Sequence, residues 1–280
     1  MSSPAHRAGR NRSTPPAQGP RGRGTVAGLP DWDRCAVVGV VNVTPDSFSD
    51  GGHWFATAAA VKRGLSLVAD GADLVDVGGE ESTRPGASRV DEHEELRRVI
   101  PVVRGLAAEG VLVSVDTMRA SVARRAVEAG AVLVNDVSGG LADPAMIPAV
   151  VYGDVVAEVV SELRDRIDAA AAAGIAPERL VVDPGLGFAK EARYDLGLVA
   201  GLADLRGLGR PVLVAGSRER FLGHVLADAD GTSPPAHRRD AATAALSAIA
   251  AHRGAWAVRV HDVRATADAV RVARAVTPPA

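Results

Sequence analysis

Residues 35–52 read CAVVGVVNVTPDSFSDGG and join a short apolar run to a polar loop that ends in two glycines. The run Cys35–Val41 contains no charged or polar residue that alternates with its valines. Such a continuous run is typical of a parallel strand that helices cover. Asn42 and Asp46 follow where this strand ends. The stretch therefore predicts a buried strand whose carboxyl end carries polar groups.

The same succession of strand, small-residue loop and amphipathic helix recurs along the chain. Further strands are predicted at Asp73–Val77, Val111–Val115, Ala131–Val134, Leu180–Val182, Val212–Val214 and Ala255–Val260. Helices are predicted at Thr57–Ala69, Asp91–Glu109, Arg119–Ala129 and Asp154–Ala173. So many units in 280 residues favour an α/β fold of the TIM (β/α)₈ barrel type. A doubly wound open sheet is the rival, but no G-x-G-x-x-G follows the first strand.

The count of strands departs from the ideal barrel, because seven are found rather than eight. The interval from Asn135 to Arg179 should hold a helix, a strand and a second helix. Pro148–Tyr152 is the only material for a fifth strand there, and it is short. We therefore expect a barrel in which one βα unit is shortened or missing.

Composition limits the class of protein. Residues 1–30 are rich in Ser, Pro, Gly and Arg and contain no acid, which predicts a disordered tail over residues 1–34 before one barrel domain at 35–280. A net charge of −2 and nine aromatic residues argue against nucleic-acid binding. The single cysteine, Cys35, excludes an intramolecular disulfide and a cysteine-built zinc site. No apolar run approaches the length of a membrane span, so a cytoplasmic enzyme is predicted.

Polar residues follow most of the predicted strands, and in a barrel these strand ends meet on one face. Asp116 and Asp183 suit a flat heterocycle that presents N–H donors, and Asn135 offers it both a donor and an acceptor. Each aspartate also has an ordinary alternative: Asp116 with Thr117 could cap the next helix, and Asp183 before Pro-Gly could only shape a turn.

The remaining polar residues at these ends suit anions and a hard cation. Arg259 and His261, with Arg84 and Ser217, suit a phosphate or another oxyanion. Asn42 and Asp46 supply the oxygen ligands that Mg²⁺ prefers. The residues together indicate a transferase that acts on a nitrogen heterocycle with an anionic leaving group.

Five segments in this order resemble the dihydropteroate synthases of folate biosynthesis: VNVTPDSFSDGG at 41–52, STRPG at 82–86, NDVSGG at 135–140, DPGLGFAK at 183–190 and RVHDV at 259–263. The resemblance runs from about Val38 to Val272. It implies a TIM barrel that joins 4-aminobenzoate to 6-hydroxymethyl-7,8-dihydropterin diphosphate, with Mg²⁺, and releases pyrophosphate. It also implies a homodimer through outer helices around Asp240–His252 and Ala265–Ala275.

The resemblance assigns roles by motif. Asn42 would bind Mg²⁺, and Thr83, Arg259 and His261 would serve the diphosphate. Asp116, Asn135 and Asp183 would hold the pterin, so that Asp116, Asp183, Arg259 and His261 form the catalytic set. Phe48, Thr83, Pro85 and Ser217 would form the 4-aminobenzoate pocket. The further substrate-binding residues would be Arg84, Lys190 and Glu219.

Three features depart from the family pattern. The fifth strand with its loop is absent, Glu219 stands where the family has a lysine that contacts the pterin, and loop two, GGEESTRPG, is one residue longer. Two alternatives therefore stay open. One is a catalytically impaired or inactive paralogue that binds a pterin or diphosphate ligand or a partner. The other is a pterin-binding barrel that transfers methyl groups from a folate, which the TPDSFSDGG loop and RVHDV disfavour.

Overall fold

The computed structural model describes residues 23–43, 52–79, 90–138, 154–188 and 191–277, with side chains of the first helix from residue 57 onward. Six strands lie in the described part of the chain and form one sheet. Their bounds are β1 Ala36–Asn42, β2 Leu74–Gly78, β3 Val113–Asp116, β4 Leu133–Asn135, β5 Leu213–Val214 and β6 Ala257–Val260.

Helices alternate with these strands. Their bounds are α1 Gly52–Ala69, α2 Glu92–Ala108, α3 Ala120–Glu128, α4 Val155–Ala172, α5 Ala192–Ala200, α6 Leu202–Arg206, α7 Arg220–Val225, α8 Asp240–His252 and α9 Val263–Val276. Aspartate side chains cap the amino ends of α2, α4 and α9. Asp91, Asp154 and Asp262 each accept a backbone N–H of the first turn. Among the helices described, none is long and apolar enough to cross a membrane.

Every strand pair in the sheet is parallel, in the order β4-β3-β2-β1-β6-β5. This order confirms the predicted α/β fold, with β1 central and crossover helices between neighbours. The predicted strand Leu180–Val182 is reduced to one parallel bridge between Val182 and Val212, at the far side of β5. The segment Pro148–Tyr152 lies outside the described residues, so the shortened fifth unit stays a prediction.

The two faces of the strands pack into different apolar clusters. On β1, Val37 and Val41 belong to a large outer cluster between the sheet and its helices. Ala36 and Val38 belong to a smaller inner cluster, against which Leu133 of β4 also packs. Leu213 of β5 packs on the same inner cluster, although β4 and β5 are the two ends of the sheet order. The sheet is therefore curled around an apolar interior, as in a TIM barrel.

The segment 23–34, just before β1, lies against the amino ends of the strands. Val26 is buried in the inner cluster, and Leu29 and Trp32 pack on it. The rings of Trp32 and Trp256 meet edge to face with centroids 5.9 Å apart. This last third of the predicted tail thus covers the amino end of the barrel, whereas residues 1–22 lie outside the described residues.

One ion pair ties this segment to β2. Arg34 donates through Nη1 and Nη2 to the two carboxylate oxygens of Asp73, at 2.6 and 2.8 Å. Asp73 also accepts the backbone N–H of Val37 at 2.8 Å. Its carboxylate therefore satisfies a charged side chain and a strand amide at once.

We expect Asp73→Ala to lower the free energy of unfolding by about 2 kcal/mol, because it leaves the Arg34 guanidinium and the Val37 amide without this acceptor. Glu128→Ala is the matched control, since the ion pair of Glu128 with Arg125 on α3 is well exposed. The control should stay within about 0.5 kcal/mol of the parent protein. Urea denaturation measures both changes, and equal stabilities of the two variants would contradict the role of Asp73.

Candidate active site

The carboxyl ends of the first four strands place four positions side by side. The strand register sets Asn42 beside Gly78, Gly78 beside Asp116, and Asp116 beside Asn135. Gly78 carries no side chain, so the Asp116 carboxylate lies over it, 3.8 Å from the position a Cβ would take. The register thus brings together Asn42, Asp116 and Asn135, which the sequence placed at separate strand ends.

Arg259 of β6 lies at the centre of this end of the barrel. It starts four positions deeper than this row, beside Val38, and its long side chain extends toward β2 and β3. Its Nε donates to Asp76 Oδ2 at 2.6 Å, and its Nη2 donates to Asp116 Oδ2 at 2.8 Å. Burial acts to lower the pKa of Arg259, but the two carboxylates outweigh it and hold that pKa above its ordinary value. The guanidinium is therefore a fixed positive charge.

Asp76 is a member of this buried cluster that the sequence did not single out as a site residue. Its side chain is 1% exposed, and its Oδ2 also accepts Asn135 Nδ2 at 3.1 Å. A single carboxylate oxygen thus orients both Arg259 and the Asn135 amide. Within the described residues, Asp76 Oδ1 has no hydrogen-bond partner, which leaves a buried acceptor for water or a ligand. The available signal was a charged residue inside the apolar strand LVDVG.

Asp116 shares Arg259 with Asp76. Burial raises the pKa of Asp116 to about 7, Arg259 opposes this rise, and the nearby Asp76 adds to it. The cluster holds two carboxyl groups and one cation, so its proton content changes near neutral pH. Asp116 does not cap the next helix, because no side chain caps α3, which begins at Ala120.

Asp183 lies close enough to Arg259 to contribute to its raised pKa. Its Oδ1 accepts the backbone N–H of Gly185 at 2.8 Å, so the turn role considered for it is also present. Asp183 therefore shapes its loop and adds negative charge near the guanidinium.

Ser217 and His261 meet at the ends of β5 and β6. Ser217 Oγ lies 2.9 Å from His261 Nδ1 and accepts the backbone N–H of His261 at 3.2 Å. The exposed Arg63 of α1 donates to the His261 carbonyl at 3.3 Å. Two of the predicted anion-binding residues are thus in direct contact.

Arg218, next to Ser217, has a φ of 63°, the left-handed region that a non-glycine residue adopts at a cost of about 1 kcal/mol or more. Several contacts hold it there. Its guanidinium donates to both oxygens of Asp240 at 2.7 and 2.9 Å, and its N–H donates to Thr243 Oγ1. Arg239 donates to its carbonyl at 3.0 Å. This bracing fixes the backbone on either side of Arg218.

Glu219 lies against the loop after Asp183. A side chain at Gly187 would overlap its carboxylate, so the glycine gives the carboxylate its space. Burial, and next the charge of Asp195, raise the pKa of Glu219. A partly buried acid therefore occupies the position at which the resemblance leads us to expect a lysine.

A second buried network supports the start and end of loop two. Thr117 donates to Glu95 Oε1 at 2.6 Å, and Arg119 pairs with the other oxygen of that buried carboxylate. Arg119 also donates to the Val90 carbonyl at 2.6 Å, and Arg98 donates to the Gly79 carbonyl at 3.1 Å. Two arginines thus hold the residues that flank loop two.

The structure leaves several predicted residues untested. Phe48, Asp46, Thr83, Arg84, Pro85 and Lys190 lie outside the described residues. Within the described part, no group of three or more His, Cys, Asp or Glu side chains could hold a metal ion. The arrangement offers a fixed cation, carboxyl groups, an amide and a Ser–His pair, which can bind a polar ring beside an anion.

Comparison with known proteins agrees with this chemistry. A sequence model of the family described as "Pterin binding enzyme" matches residues 38–152 and 149–261. A dihydropteroate synthase of Mycobacterium leprae is 52% identical over 260 residues, which cover 84% of this chain and 91% of that protein. A Xanthomonas albilineans dihydropteroate synthase structure that contains 4-aminobenzoic acid is 45% identical, with a TM-score of 0.80 over 89% of this chain and 95% of that one. Another structure from that organism, a complex with 7,8-dihydropteroate, has a TM-score of 0.77 at 44% identity and the same coverage.

We expect the carboxyl group of Asp116 to titrate near neutral pH. Carbon-13 NMR measures this titration, and the Asp116→Asn variant assigns the signal. Asp76→Asn should lower this pKa, because it removes a neighbouring negative charge. Arg259→Gln should raise it, because it removes the cation that favours the carboxylate. A midpoint near the ordinary aspartate value, or two shifts of the same sign, would contradict the arrangement.

Proposed function

This chain belongs to the dihydropteroate synthase family of pterin-binding enzymes, and from that membership we infer its reaction. It joins the amine of 4-aminobenzoate to 6-hydroxymethyl-7,8-dihydropterin diphosphate. A carbon–nitrogen bond forms, the carbon–oxygen bond to the diphosphate breaks, the amine loses a proton, and 7,8-dihydropteroate and pyrophosphate result. The observation that carries this conclusion is the buried cluster of Arg259, Asp76 and Asp116 at the carboxyl ends of the strands.

We assign the pterin to Asp116, Asn135 and Asp183. A carboxylate accepts two N–H groups in parallel, which matches the edge of a pterin ring. Because Asn135 Nδ2 is bonded to Asp76, its Oδ1 is the atom directed to accept from the ring. The pterin N–H groups would donate to the carboxylate of Asp116. Because such donors stabilise the charged form, substrate binding would favour the ionised carboxylate.

Arg259 and His261, with Thr83 from loop two, serve the diphosphate side. As the carbon–oxygen bond breaks, negative charge grows on the leaving group, and a cation that is already in place stabilises it. Arg259 suits this role because Asp76 and Asp116 keep it charged and fixed. His261 adds a hydrogen-bond donor just past the end of the same strand, β6.

We propose Mg²⁺ as the cofactor, with Asn42 as its protein ligand. Mg²⁺ usually keeps several waters and binds few protein groups together with substrate phosphates. The described residues fit this mode, because they offer the exposed Asn42 at the end of β1 and no acidic cage. Bound there, the ion would supply positive charge to the leaving diphosphate.

The 4-aminobenzoate pocket is assigned to Phe48, Thr83, Pro85 and Ser217, with Arg84, Lys190 and Glu219 around the two substrates. Of these, Ser217 and Glu219 lie in described segments, on either side of the braced Arg218. The bracing holds both side chains at the rim of the same strand end.

The direct test is a condensation assay with the pterin diphosphate, 4-aminobenzoate and Mg²⁺, in which pyrophosphate release and the mass of dihydropteroate are measured. Arg259→Gln should lower kcat/KM by at least about 100-fold, because it removes the fixed cation. Removal of Mg²⁺ should also suppress turnover. Arg271→Gln, at an exposed position on α9, is the matched control and should leave the rate unchanged. A folded protein that forms no dihydropteroate would overturn the assignment in favour of a ligand-binding paralogue.

We further propose a cytoplasmic homodimer. The free thiol of the buried Cys35 suits a reducing compartment. Helices α8 and α9 pack on each other and carry exposed apolar side chains, such as Ile249 at 49%, Val272 at 64% and Val276 at 65% exposure. Val272 and Val276 lie one turn apart on α9, so they present one apolar strip that a second copy can cover.

Sedimentation velocity at micromolar concentration should show a dimer for the parent protein and a monomer for Val272→Asp, because a charge in the apolar strip opposes its burial. Val127→Asp is the control, since Val127 is 53% exposed on α3, away from α9. A monomeric parent protein would remove the dimer proposal without affecting the proposed reaction.

A further inference from the structure

We propose that Ser217 is a positioning residue that sets the tautomer of His261: its hydroxyl donates to Nδ1 and so keeps the ring proton on Nε2. This inference rests on the proposed function only in its consequence, since the contact itself exists in the protein without substrate. The resemblance assigned Ser217 to the 4-aminobenzoate pocket, which does not involve the ring of His261.

The geometry directs two groups of His261 at one oxygen atom. The backbone N–H of His261 donates to Ser217 Oγ at 3.2 Å, while ring Nδ1 lies 2.9 Å from the same atom. Ser217 is 8% exposed, so bulk water competes little for its hydroxyl. Because both contacts involve the same residue, they fix the ring as well as the backbone of His261.

Counting protons decides the direction of the ring contact. A serine hydroxyl has one proton to donate and two lone pairs that accept. The backbone N–H of His261 occupies one lone pair, and within the described chain Nδ1 is the one acceptor in reach of the hydroxyl proton. If Nδ1 carried the ring proton instead, the buried hydroxyl would accept twice and its own proton would lack an acceptor. The Nε2–H tautomer gives the hydroxyl proton, Nδ1 and the backbone N–H each a partner.

The loop holds Ser217 firmly enough to impose this choice. Arg218 is braced in its left-handed conformation by Asp240 and Thr243. On the other side, a Cβ at Gly216 would lie 2.5 Å from Leu246 Cδ2, so the backbone there packs directly against α8. Ser217 is therefore fixed from both neighbours.

The consequence concerns the leaving group. In the Nε2–H tautomer, a neutral imidazole presents a donor on the side of the ring away from Ser217. In the other tautomer it presents a lone pair, which repels an oxyanion. Ser217 thereby makes His261 a hydrogen-bond donor to the diphosphate without requiring a charged ring.

The test is nitrogen-15 NMR of histidine-labelled, full-length protein without ligand, at a pH where the ring is neutral, with His261→Gln to assign the signals. The parent protein should show the Nε2–H tautomer, and Ser217→Ala should show a mixture of tautomers. Ser217→Thr keeps the hydroxyl and should show the same tautomer as the parent protein. A parent ring with its proton on Nδ1, or an unchanged tautomer in Ser217→Ala, would overturn the proposal.

Calorimetric titration with inorganic pyrophosphate and Mg²⁺ tests the consequence on the same proteins. Ser217→Ala should weaken binding about tenfold, as expected for the partial loss of one hydrogen bond to a charged group, and Ser217→Thr should restore it. Equal affinities of the parent and Ser217→Ala would contradict the consequence. Failure of the condensation assay with the tautomer result intact would instead refute only the proposed function.

Discussion

The interaction on which this site depends is the guanidinium of Arg259 held between two buried carboxylates. Through Asp76 and Asp116 it joins β6 to β2 and β3, and through Asp76 it also fixes Asn135 of β4. A buried charge is costly unless it is paired and hydrogen-bonded, so these groups stabilise one another as a set. If any one of these residues is lost, the remaining buried charges lack a partner, which is energetically costly. A fixed cation at the strand ends is suited to stabilise the negative charge that grows on a leaving diphosphate.

The placement of this cluster follows from how the barrel interior is filled. Apolar side chains from both ends of the sheet order pack on one inner cluster, and the segment 23–34 covers it at the amino end with Val26, Leu29 and Trp32. The interior at the amino end is therefore closed to water, and polar side chains of the inner face accumulate at the other end. The ion pair of Arg34 with Asp73 fixes the covering segment to β2. The composition of residues 1–30 indicates none of these contacts, because they depend on where Trp256 and Asp73 lie in the fold.

Local sequence features predicted the elements well where they were regular. The apolar run at β1 and the helical periodicity of α2 gave bounds within one or two residues, because burial on both faces and capping by Asp91 are local properties. The predicted strand Leu180–Val182 was less accurate, since a strand at the end of a sheet depends on its one neighbour. Asp76 and Glu95 were missed for a related reason. A charge within a strand or helix reads as exposed until its buried partners, Arg259 and Arg119, come from distant parts of the chain.

The sequence alone determined the class of fold, the family and the residues available for chemistry. Strand periodicity and the motifs from VNVTPDSFSDGG to RVHDV each consist of residues that are close together in the chain, so they can be recognised without the structure. Tertiary structure alone decided how those residues act. It paired Arg259 with Asp76 and Asp116, gave Asp183 its turn role beside the guanidinium, and set Ser217 against the ring of His261. The physical reason is that proton affinity, tautomer and charge are properties of neighbours in space. In a parallel barrel those neighbours come from strand ends that lie far apart in the chain.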